Sequence, residues 1–419
     1  MNLSFLWKIR AILVVCGFLA LGVCYEFMLV EPNQLLVKRK TVQGNMNSSE
    51  KVSHAVAGNQ VPQSRLTRPD LSKITPPLIY LTYGNMDPEI NHKKIKTRLG
   101  HRCTTTIDHK QMNHSDALLI DYNSAFRSNP FTEPIGRKPD QMYVYFSREP
   151  PWFYQEKNFS LVDKDFFNWT MTYRRDSDIY FPYPTMDIED KLSVLLKTST
   201  FYGDDVVNSK LSKKSKENLV LVAISHCDGA DGPIHRLKYV EALEKAGLRM
   251  KKIGKCFDNY VTMKWNSGDF RRYTASFKFV LAFENGYHCR DYITEKTWNN
   301  ALRSGAVPVI WGASKPDVEA VLPSGSYMHV DDFDSPKQLA EHLMYLDSNE
   351  TAYAKYFDWR RKPPKKYFWQ QDIGFEMLCN KLWEKKLYNN VSKVYHSFKD
   401  WYIGQDNPEC FKITNGNWI

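Results

Sequence analysis

The sequence predicts an α/β protein built on doubly wound parallel sheets. Apolar runs of strand length recur along the chain and alternate with segments of helical periodicity. The clearest case is residues 277–312, FKFVLAFENGYHCRDYITEKTWNNALRSGAVPVIWG, which contain a buried strand, a polar loop, a helix and a second buried strand. Strands and helices that alternate with short links are typical of a parallel sheet covered by helices.

The N-terminal segment predicts a membrane anchor. Residues 11–30 are almost entirely apolar and long enough to span a bilayer as a helix. Lys8 and Arg10 lie in the short preceding tail, residues 1–10, which favours a cytosolic N terminus and a lumenal remainder. A cleaved signal peptide is the alternative. Residues 31–75 are polar with little periodicity, and we expect them to form a stem without ordered structure.

The rest of the chain divides into two predicted α/β domains. The first covers residues 76–195, a polar linker follows at 196–216, the second domain covers 217–365, and a helical, disulfide-linked segment covers 366–419. The strand-like runs are residues 78–84, 117–122, 142–147, 219–225, 250–253, 277–283 and 306–311. An amphipathic helix is predicted at 236–247, and another begins at Ser335 with Pro336 in its first position.

The net charge of +10, from 57 basic and 47 acidic residues, raises the question of nucleic-acid binding. The sequence has no zinc-finger spacing and no RNA-recognition motif, so no nucleic-acid partner is predicted. The basic cluster of Lys210, Lys213, Lys214 and Lys216 lies in the polar linker, where we expect it to be solvated.

Six cysteines follow the predicted anchor: Cys103, Cys227, Cys256, Cys289, Cys379 and Cys410. An even number suits disulfides in an oxidising compartment, although spacing alone does not determine their pairing. Proximity along the chain favours Cys379–Cys410 and Cys227–Cys256. Glycosylation sequons at Asn47, Asn113, Asn158, Asn168, Asn349 and Asn390 agree with lumenal exposure.

Two charged residues within 277–312 do not fit a purely structural interpretation. Lys296 lies in the first turn of the predicted helix, after the expected N-cap Thr294, where the helix dipole disfavours a cation. Glu284 ends an otherwise apolar strand beside the same loop. A lysine next to free backbone N–H groups is a natural phosphate site, and carboxylates nearby can accept hydrogen bonds from sugar hydroxyls. The pattern therefore predicts a nucleotide-sugar site.

The same residues carry a family resemblance. Residues 284–312, followed by YMHVDDFDSPKQLAEHL and YFDWR, resemble the signature of the α-1,3-fucosyltransferases. FFNWTMTYRRDSDIYFPY at 166–183 and FSREPP at 146–151 resemble two further motifs of that family. The resemblance implies a Golgi type II membrane enzyme of GT-B architecture, in which two Rossmann-like domains face each other across a cleft. It also implies GDP-fucose as donor and a glycan acceptor on a glycoprotein or glycolipid.

The resemblance implies a donor site made of Glu284, Asn285, Tyr292, Thr294, Glu295, Lys296, Arg236 and Tyr173. Lys296 and Arg236 would stabilise the departing diphosphate. A surface salt bridge with Glu241 is the alternative for Arg236. Tyr173 belongs to a cluster that extends to Asp178, for which a structural or acceptor-side role is favoured, with an Arg174–Asp178 ion pair.

Inverting transfer needs a carboxylate that takes the proton of the acceptor hydroxyl. By resemblance this catalytic base is Glu149, at a turn set by two prolines, although Pro-Pro follows it where the family commonly has Ser-Pro. Glu156 and Asp163 are the alternatives.

Asp176 and Asp178 have the Asp-x-Asp spacing of a metal site. Because the charge of the leaving group is already balanced by Lys296 and Arg236, we predict no tightly bound metal. A divalent ion could still stimulate the reaction.

The predicted function is inverting transfer of L-fucose from GDP-fucose in α-1,3 linkage to N-acetylglucosamine, in the chitobiose core or a lactosamine antenna. One alternative is the same architecture with another donor or with a protein hydroxyl as acceptor. Another is an anchored glycan-binding protein without catalytic activity.

Overall fold

The computed structural model describes residues 74–82, 94–121, 138–151, 158–183, 202–227, 232–264, 267–286, 289–361, 374–388, 393–404 and 410, and three strands nearer the N terminus. The chain forms two compact units, Met1–Arg68 and Pro69–Ile419. In the first unit, β1 (Ile12–Val15), β2 (Val23–Leu29) and β3 (Leu35–Thr41) form an antiparallel sheet in that order.

The secondary structure of residues 11–30 therefore differs from the membrane-spanning helix that the sequence predicted. Within residues 11–30 the structure has β1 and β2 instead of a helix. Apolar periodicity alone does not distinguish a buried strand from a helix, and the Val, Ile, Tyr and Phe residues of these strands favour extended backbone. No helix in the described part of the chain is long and apolar enough to cross a membrane.

The second unit opens with a seven-stranded sheet. Its strands are β4 (Leu78–Leu81), β5 (Lys94–Lys96), β6 (Arg102–Thr106), β7 (Ala117–Asp121), β8 (Met142–Ser147), β9 (Trp169–Thr172) and β10 (Ile179–Tyr180), in the order β10-β9-β8-β7-β4-β6-β5. All neighbours are parallel except the edge pair β5–β6. Every residue of β7, β8 and β9 is buried, as expected for a parallel sheet covered on both faces.

A second, fully parallel sheet has the order β12-β11-β13-β14-β15. Its strands are β11 (Val220–Ala223), β12 (Met250–Ile253), β13 (Phe279–Phe283), β14 (Val307–Trp311) and β15 (Met328–His329). The helices that accompany it are α1 (Asp204–Leu211), α2 (Gly232–Lys245), α3 (Gly268–Ala275), a π-helix (Lys296–Arg303), α4 (Lys315–Val321), α5 (Pro336–Ser348), α6 (Glu350–Ala354) and α7 (Asp358–Arg361).

Local sequence signals explain several of these helices. The start of α5 is confirmed where it was predicted, because the Ser335 hydroxyl accepts a hydrogen bond from the Gln338 amide at 3.2 Å and Pro336 follows it. The same capping occurs at α4, where Ser314 precedes a helix with proline near its start. The predicted helix at 236–247 is confirmed as α2.

The C-terminal segment returns to the first sheet. Helix α8 (Gly374–Tyr388) buries Leu378, Leu382 and Trp383 in the core that covers one face of that sheet. Helix α9 (Phe398–Ile403) buries Phe398 and Tyr402 in the cluster on Tyr143 and Tyr145 of β8. The seven-stranded sheet is thus covered by residues from the far end of the chain.

The packing of α8 on the first sheet explains the disulfide of Cys379. Cys227–Cys256 is confirmed, but the predicted Cys379–Cys410 pair is wrong. Cys379 of α8 is bonded to Cys103 of β6, 276 residues away in sequence, and Cys410 is bonded to Cys289. Helix α8 lies on the sheet that contains Cys103, so nearness along the chain did not identify the partner.

The basic linker is solvated only in part, because Lys213 and Lys216 are exposed whereas Lys210 and Lys214 are half-buried. Helix α1 occupies part of the linker, and the Lys214 side chain is turned to the protein. Its Nζ donates to the carbonyl oxygens of Ala275, Phe277 and Gly305 at 3.0, 2.8 and 2.7 Å. Burial lowers the pKa of Lys214 well below its usual range, and the positive charges of Lys210 and Arg360 act in the same direction. Lys214 therefore connects the linker to residues 275–277 and to Gly305.

We expect the Cys103–Cys379 disulfide to stabilise the protein more than Cys227–Cys256, because it closes the longer loop: the separations are 276 and 29 residues. In the loop-entropy treatment, a Cys103→Ser/Cys379→Ser variant should lose about 2 kcal/mol more unfolding free energy than Cys227→Ser/Cys256→Ser. Urea unfolding followed by tryptophan fluorescence measures both, and peptide mapping verifies that the other disulfides remain. Equal losses would contradict the prediction.

Candidate active site

The predicted site residues follow the carboxyl ends of strands in both sheets. Glu149 comes two residues after β8, Tyr173 directly after β9, and Glu284 directly after β13. In α/β sheets, ligands bind outside the carboxyl ends of the parallel strands. The structure joins the two sheets at this level, because the Tyr292 hydroxyl donates to Oε2 of Glu149 at 3.3 Å.

Lys296 lies in a compact ionic network. Its Nζ donates to Glu284 Oε2 at 3.1 Å, to Thr294 Oγ1 at 3.0 Å and to Glu295 Oε1 at 3.2 Å. The side chain of Glu284 is 1% exposed, that of Lys296 15% and that of Glu295 32%. Thr294 donates to Glu284 through both its amide and its hydroxyl. All three N–H groups of the ammonium are therefore used, and Glu295 is the most accessible of their partners.

Burial and the neighbouring charges shift the pKa values of the side chains in this network. Burial lowers the pKa of Lys296, but Glu284 and Glu295 outweigh that effect and leave it raised. Burial raises the pKa of Glu295, but the charge of Lys296 and the hydrogen bonds to this carboxylate together leave the pKa lowered. For Glu284, burial dominates and the pKa is raised in spite of Lys296. Lys296 is therefore held as a cation next to an ionised Glu295.

The helix after this network begins differently from the prediction. It is a π-helix from Lys296 to Arg303, and the residue at its N-cap position is Glu295 instead of the expected Thr294. The Thr294 hydroxyl accepts weakly from the Lys296 amide at 3.4 Å while it donates to Glu284. Wide π-type turns occur often at functional sites, and here the wide turn coincides with the predicted phosphate-binding lysine.

Arg236 connects the loops next to this network. It is 1% exposed, and its guanidinium donates to Phe283 O at 3.0 Å, Asn285 Oδ1 at 2.6 Å and His226 O at 2.6 Å. The salt bridge with Glu241, the alternative considered from the sequence, is replaced by these bonds. Burial lowers the pKa of Arg236 to about 10, against the raising effect of Glu284. Arg236 thus joins the loop after β11 to the turn after β13.

Two glycines allow that turn to pack closely. A Cβ at Gly232 would lie 2.3 Å from the carbonyl oxygen of Asn285. Gly312 has φ 134°, and a Cβ there would lie 2.7 Å from the Cβ of Glu284. Both positions therefore exclude a side chain, which keeps Glu284 and Asn285 against the ends of the neighbouring elements.

Glu149 is the carboxylate on the opposite side of the site. Burial raises its pKa, and this effect exceeds the lowering by the charge of Lys296 and by the hydrogen bond from Tyr292. A carboxylate with a raised pKa is a stronger proton acceptor once it is ionised. Of the two alternatives, Asp163 accepts from the Lys399 amide at 2.6 Å at the start of α9, and Glu156 lies outside the described residues.

Buried tyrosines connect the two sides. The ring centroid of Tyr292 lies 5.1 Å from that of Tyr173 and 5.9 Å from that of Tyr183, both edge-on. Burial raises the pKa of all three well above the usual value, so they remain neutral donors. The Tyr173 hydroxyl is buried and, within the described ranges, has no hydrogen-bond partner. The structure places Tyr173 beside Tyr292.

The cluster that follows Tyr173 has a structural role. Arg174 pairs with Asp176, at 2.9 and 2.6 Å, instead of the predicted Asp178. Asp178 accepts from Thr170 and Tyr395 at 3.0 and 2.7 Å. Both carboxylates of the Asp-x-Asp sequence are thus used within the protein. In the part of the chain that is described, no group of three or more His, Cys, Asp or Glu side chains could hold a metal ion.

A set of contacts that the sequence did not reveal joins the two sheets beside the site. Arg175 donates to Asp291 through its amide at 2.9 Å and through Nε at 2.5 Å, and its Nη2 donates to Asp317 at 2.8 Å. Arg290 bonds to Asp176 at 2.5 Å. Asp291 has φ 59°, and it directly precedes Tyr292. These bonds and the Cys289–Cys410 disulfide hold the segment that presents Tyr292 to Glu149.

Comparison with known proteins identifies the family. A model described as "Fucosyltransferase, N-terminal" matches residues 76–184, and one described as "Glycosyltransferase family 10 (fucosyltransferase) C-term" matches residues 213–401. The chain belongs to the fucosyltransferases of glycosyltransferase family 10. The two family models cover the two sheets and all the predicted site residues.

Curated fucosyltransferases agree with this assignment. The chain is 33% identical over 300 residues to the 3-galactosyl-N-acetylglucosaminide 4-alpha-L-fucosyltransferase FUT3 of Bos taurus, covering 71% of this chain and 74% of the relative. It is 32% identical over 298 residues to the 4-galactosyl-N-acetylglucosaminide 3-alpha-L-fucosyltransferase FUT5 of Homo sapiens, covering 70% and 71%.

The fold also agrees with a solved fucosyltransferase. A crystal structure of an alpha1,3-fucosyltransferase with GDP-fucose matches with a TM-score of 0.50 at 16% identity, covering 79% of this chain and 96% of that one. The likeness, together with the two parallel sheets, supports the predicted GT-B-like α/β fold.

The Lys296–Glu284 pair should be strongly coupled. Lys296→Met leaves a buried carboxylate without its cation, and we expect a loss of about 3–5 kcal/mol of unfolding free energy. Glu284→Gln added to Lys296→Met should recover part of that loss, because the uncompensated charge is removed. Chemical denaturation of the single and double variants measures the coupling.

The control for this experiment is Lys252→Met, which breaks a surface pair with Glu244 at 2.8 Å. It should lose less than about 1 kcal/mol. A Lys296→Met variant as stable as this control would show that Lys296 is not held by the buried carboxylate.

Proposed function

We propose that this protein is an inverting fucosyltransferase that moves L-fucose from GDP-fucose to N-acetylglucosamine of glycoprotein or glycolipid glycans. The observation that carries the proposal is the hydrogen bond from Tyr292 to the half-buried carboxylate of Glu149 across the junction of the two sheets, in a chain of this family. The positive charge of Lys296 acts on the same carboxylate and lowers its pKa. The curated relatives are named for transfer to the 3- or 4-position, and we propose the α-1,3 linkage.

The donor side can be derived from the Lys296 network. A diphosphate needs N–H donors, and all three of the lysine's are in use. Glu284 is buried and cannot leave, whereas Glu295 is accessible at the surface of the network. We infer that Glu295 releases Lys296 to a phosphate oxygen and turns to a hydroxyl of the fucose or ribose. The partial positive charge of the π-helix start would add to the stabilisation of the leaving group.

Arg236 contributes to the donor side indirectly in this proposal. Its donors already bind the ends of neighbouring loops, so it acts through its charge and by fixing Asn285. Tyr292 is held by the contacts of Asp291 and directs its hydroxyl at Glu149. We keep the prediction that the enzyme holds no tight metal, with Lys296 and the helix start balancing the diphosphate.

On the acceptor side, Glu149 takes the proton of the attacking hydroxyl while the diphosphate leaves from the opposite face of the fucose ring. General-base catalysis of this kind contributes about 10²- to 10⁴-fold to the rate. The base must be ionised, so activity should fall as the pH drops through the raised pKa of Glu149. The choice between a chitobiose core and a lactosamine antenna depends on the acceptor surface.

The Glu149→Gln variant tests the reaction. We expect transfer to N-acetylglucosamine acceptors to fall at least about 100-fold, because the amide cannot accept the proton, while the affinity for GDP is retained. GDP release, mass spectrometry of the fucosylated product and calorimetry with GDP give the three measurements. Glu341→Gln, on the exposed face of α5, is the matched control. Full transfer by Glu149→Gln would remove Glu149 from the mechanism.

We further propose that the protein is a single-pass type II Golgi membrane protein with its second unit in the lumen. Three disulfides and the sequons support an oxidising, glycosylating compartment. The apolar run at residues 11–30, which follows Lys8 and Arg10, is the segment that would anchor the protein in the bilayer.

This placement predicts that a C-terminal tag on the full chain is protected from added protease in intact Golgi vesicles and becomes sensitive once detergent is added. Glycosidase treatment should lower the apparent mass of the same band. Digestion of the tag without detergent would place the second unit in the cytosol and contradict the proposal.

A further inference from the structure

The order of strands in the second sheet reverses at β11. Strand β12 lies on one side of β11, and β13, β14 and β15 lie on the other. In an open α/β sheet of this order, ligands bind outside the carboxyl ends of the two strands at the reversal. These strands are β11 and β13, and the residues that follow them include His226 and Asn285. The relative position of these two loops therefore shapes the donor side of the site.

Arg236 spans the two loops. Its Nη2 donates to the carbonyl oxygen of His226 at 2.6 Å, and its Nη1 donates to Asn285 Oδ1 at 2.6 Å and to Phe283 O at 3.0 Å. The side chain is 1% exposed, and its Nε has no hydrogen-bond partner within the described ranges. If the loop after β11 moved, a second buried N–H of this cation would lose its acceptor, which is costly. The guanidinium therefore depends on the position of His226.

The Cys227–Cys256 disulfide holds the loop that contains His226. Cys227 is the next residue in the chain, and Cys256 lies in a short 3-10 helix, Lys255–Phe257, after β12. The Cys256 amide also donates to the carbonyl oxygen of Ile224 at 3.2 Å. Because His226 is exposed, burial contributes little to its position. The disulfide is the covalent link between the loop after β11 and the loop after β12.

The same two loops are in close contact at Gly254. This residue has φ 109°, and a Cβ there would lie 2.3 Å from the carbonyl oxygen of Ile224. A glycine is needed where two backbone segments approach so closely. The loop after β11 is thus held from the β12 side by this contact and the disulfide, and from the β13 side by Arg236.

We propose that the Cys227–Cys256 disulfide is a positioning element of the donor site. It keeps the carbonyl group of His226 where the guanidinium of Arg236 requires it, and it thereby maintains the affinity for the nucleoside diphosphate. The inference rests on the proposed fucosyl transfer, because it concerns the donor side of the same site. The two cysteines act through Arg236, so the disulfide affects donor binding and not the proton transfer at Glu149.

The Cys227→Ser/Cys256→Ser variant of the full chain, in detergent, tests the proposal. We expect its Kd for GDP, measured by calorimetry, and its KM for GDP-fucose to rise about 10-fold, as the loss of a hydrogen bond from a charged donor implies. Because the charge of Arg236 remains in place, kcat and the KM for lactosamine should change less than about 2-fold. The control, Cys103→Ser/Cys379→Ser, is expected to be the less stable variant and yet to keep its affinity for GDP.

A double-mutant cycle separates positioning from a general loss of stability. Arg236→Lys keeps the positive charge but loses the fork that bridges the two loops, so it should weaken GDP binding by itself. If the disulfide acts through Arg236, breaking it in the Arg236→Lys background should change the Kd for GDP by less than about 2-fold. Additive effects of the two changes would overturn the proposal. An unchanged Kd for GDP in Cys227→Ser/Cys256→Ser would do the same.

If the serine variant does not fold, the unaltered protein is titrated with dithiothreitol, and alkylation with peptide mapping follows each disulfide. The Kd for GDP should rise as Cys227–Cys256 opens, and a rise that follows Cys103–Cys379 instead would contradict the proposal. Fucose transfer by the unaltered enzyme, combined with unchanged GDP affinity after the bond is broken, refutes the positioning role alone. Absence of both GDP binding and transfer in the unaltered enzyme would refute fucosyl transfer itself.

Discussion

The buried contact between Lys296 and Glu284 is the constraint on which the site depends. Glu284 is placed by β13 in a position where no water can solvate it, so its charge requires the ammonium of Lys296 and the two donors of Thr294. The contact in turn fixes the start of the π-helix, because Lys296 is the first residue of that helix. One ion pair therefore joins the end of a strand, a cation and a helix start into a single rigid element.

The second requirement is a fixed position of the two sheets relative to each other. The base Glu149 follows a strand of the first sheet, and the cation Lys296 belongs to the helix that follows β13 of the second. Arg175 bridges to Asp291 and Asp317, Arg290 bridges to Asp176, and the Cys289–Cys410 disulfide links the same segment to the C-terminal end of the chain. These contacts surround Tyr292 without using its hydroxyl. Tyr292 can then donate to Glu149 from a fixed position.

The sequence predicted what depends on local pattern. The apolar runs predicted β4, β7 and β8 of the first sheet and β11 to β14 of the second, but not β5, β6, β9 or β10. The helix capped by Ser335 follows from its capping residue, and the meeting of Glu284, Thr294 and Lys296 follows from their position after a strand. The sequence did not predict contacts between residues that lie far apart along the chain. Cys379 is bonded to Cys103 because α8 packs on the first sheet, and Lys214 is held by three carbonyl groups that converge on its ammonium. Neither encounter leaves a local signature, since the partners are far apart along the chain.

The geometry also couples the two substrates. Burial raises the pKa of Glu149, and Lys296 is the strongest of the charges that oppose this effect. A diphosphate bound at Lys296 would offset that cation and add its own negative charge, and both changes raise the proton affinity of Glu149 further. The carboxylate would therefore be the strongest base when the donor is in place, and a weaker one in the free enzyme. Arg148 also lowers the pKa of Glu149, but less than Lys296 does, so the donor site has the larger influence on the base.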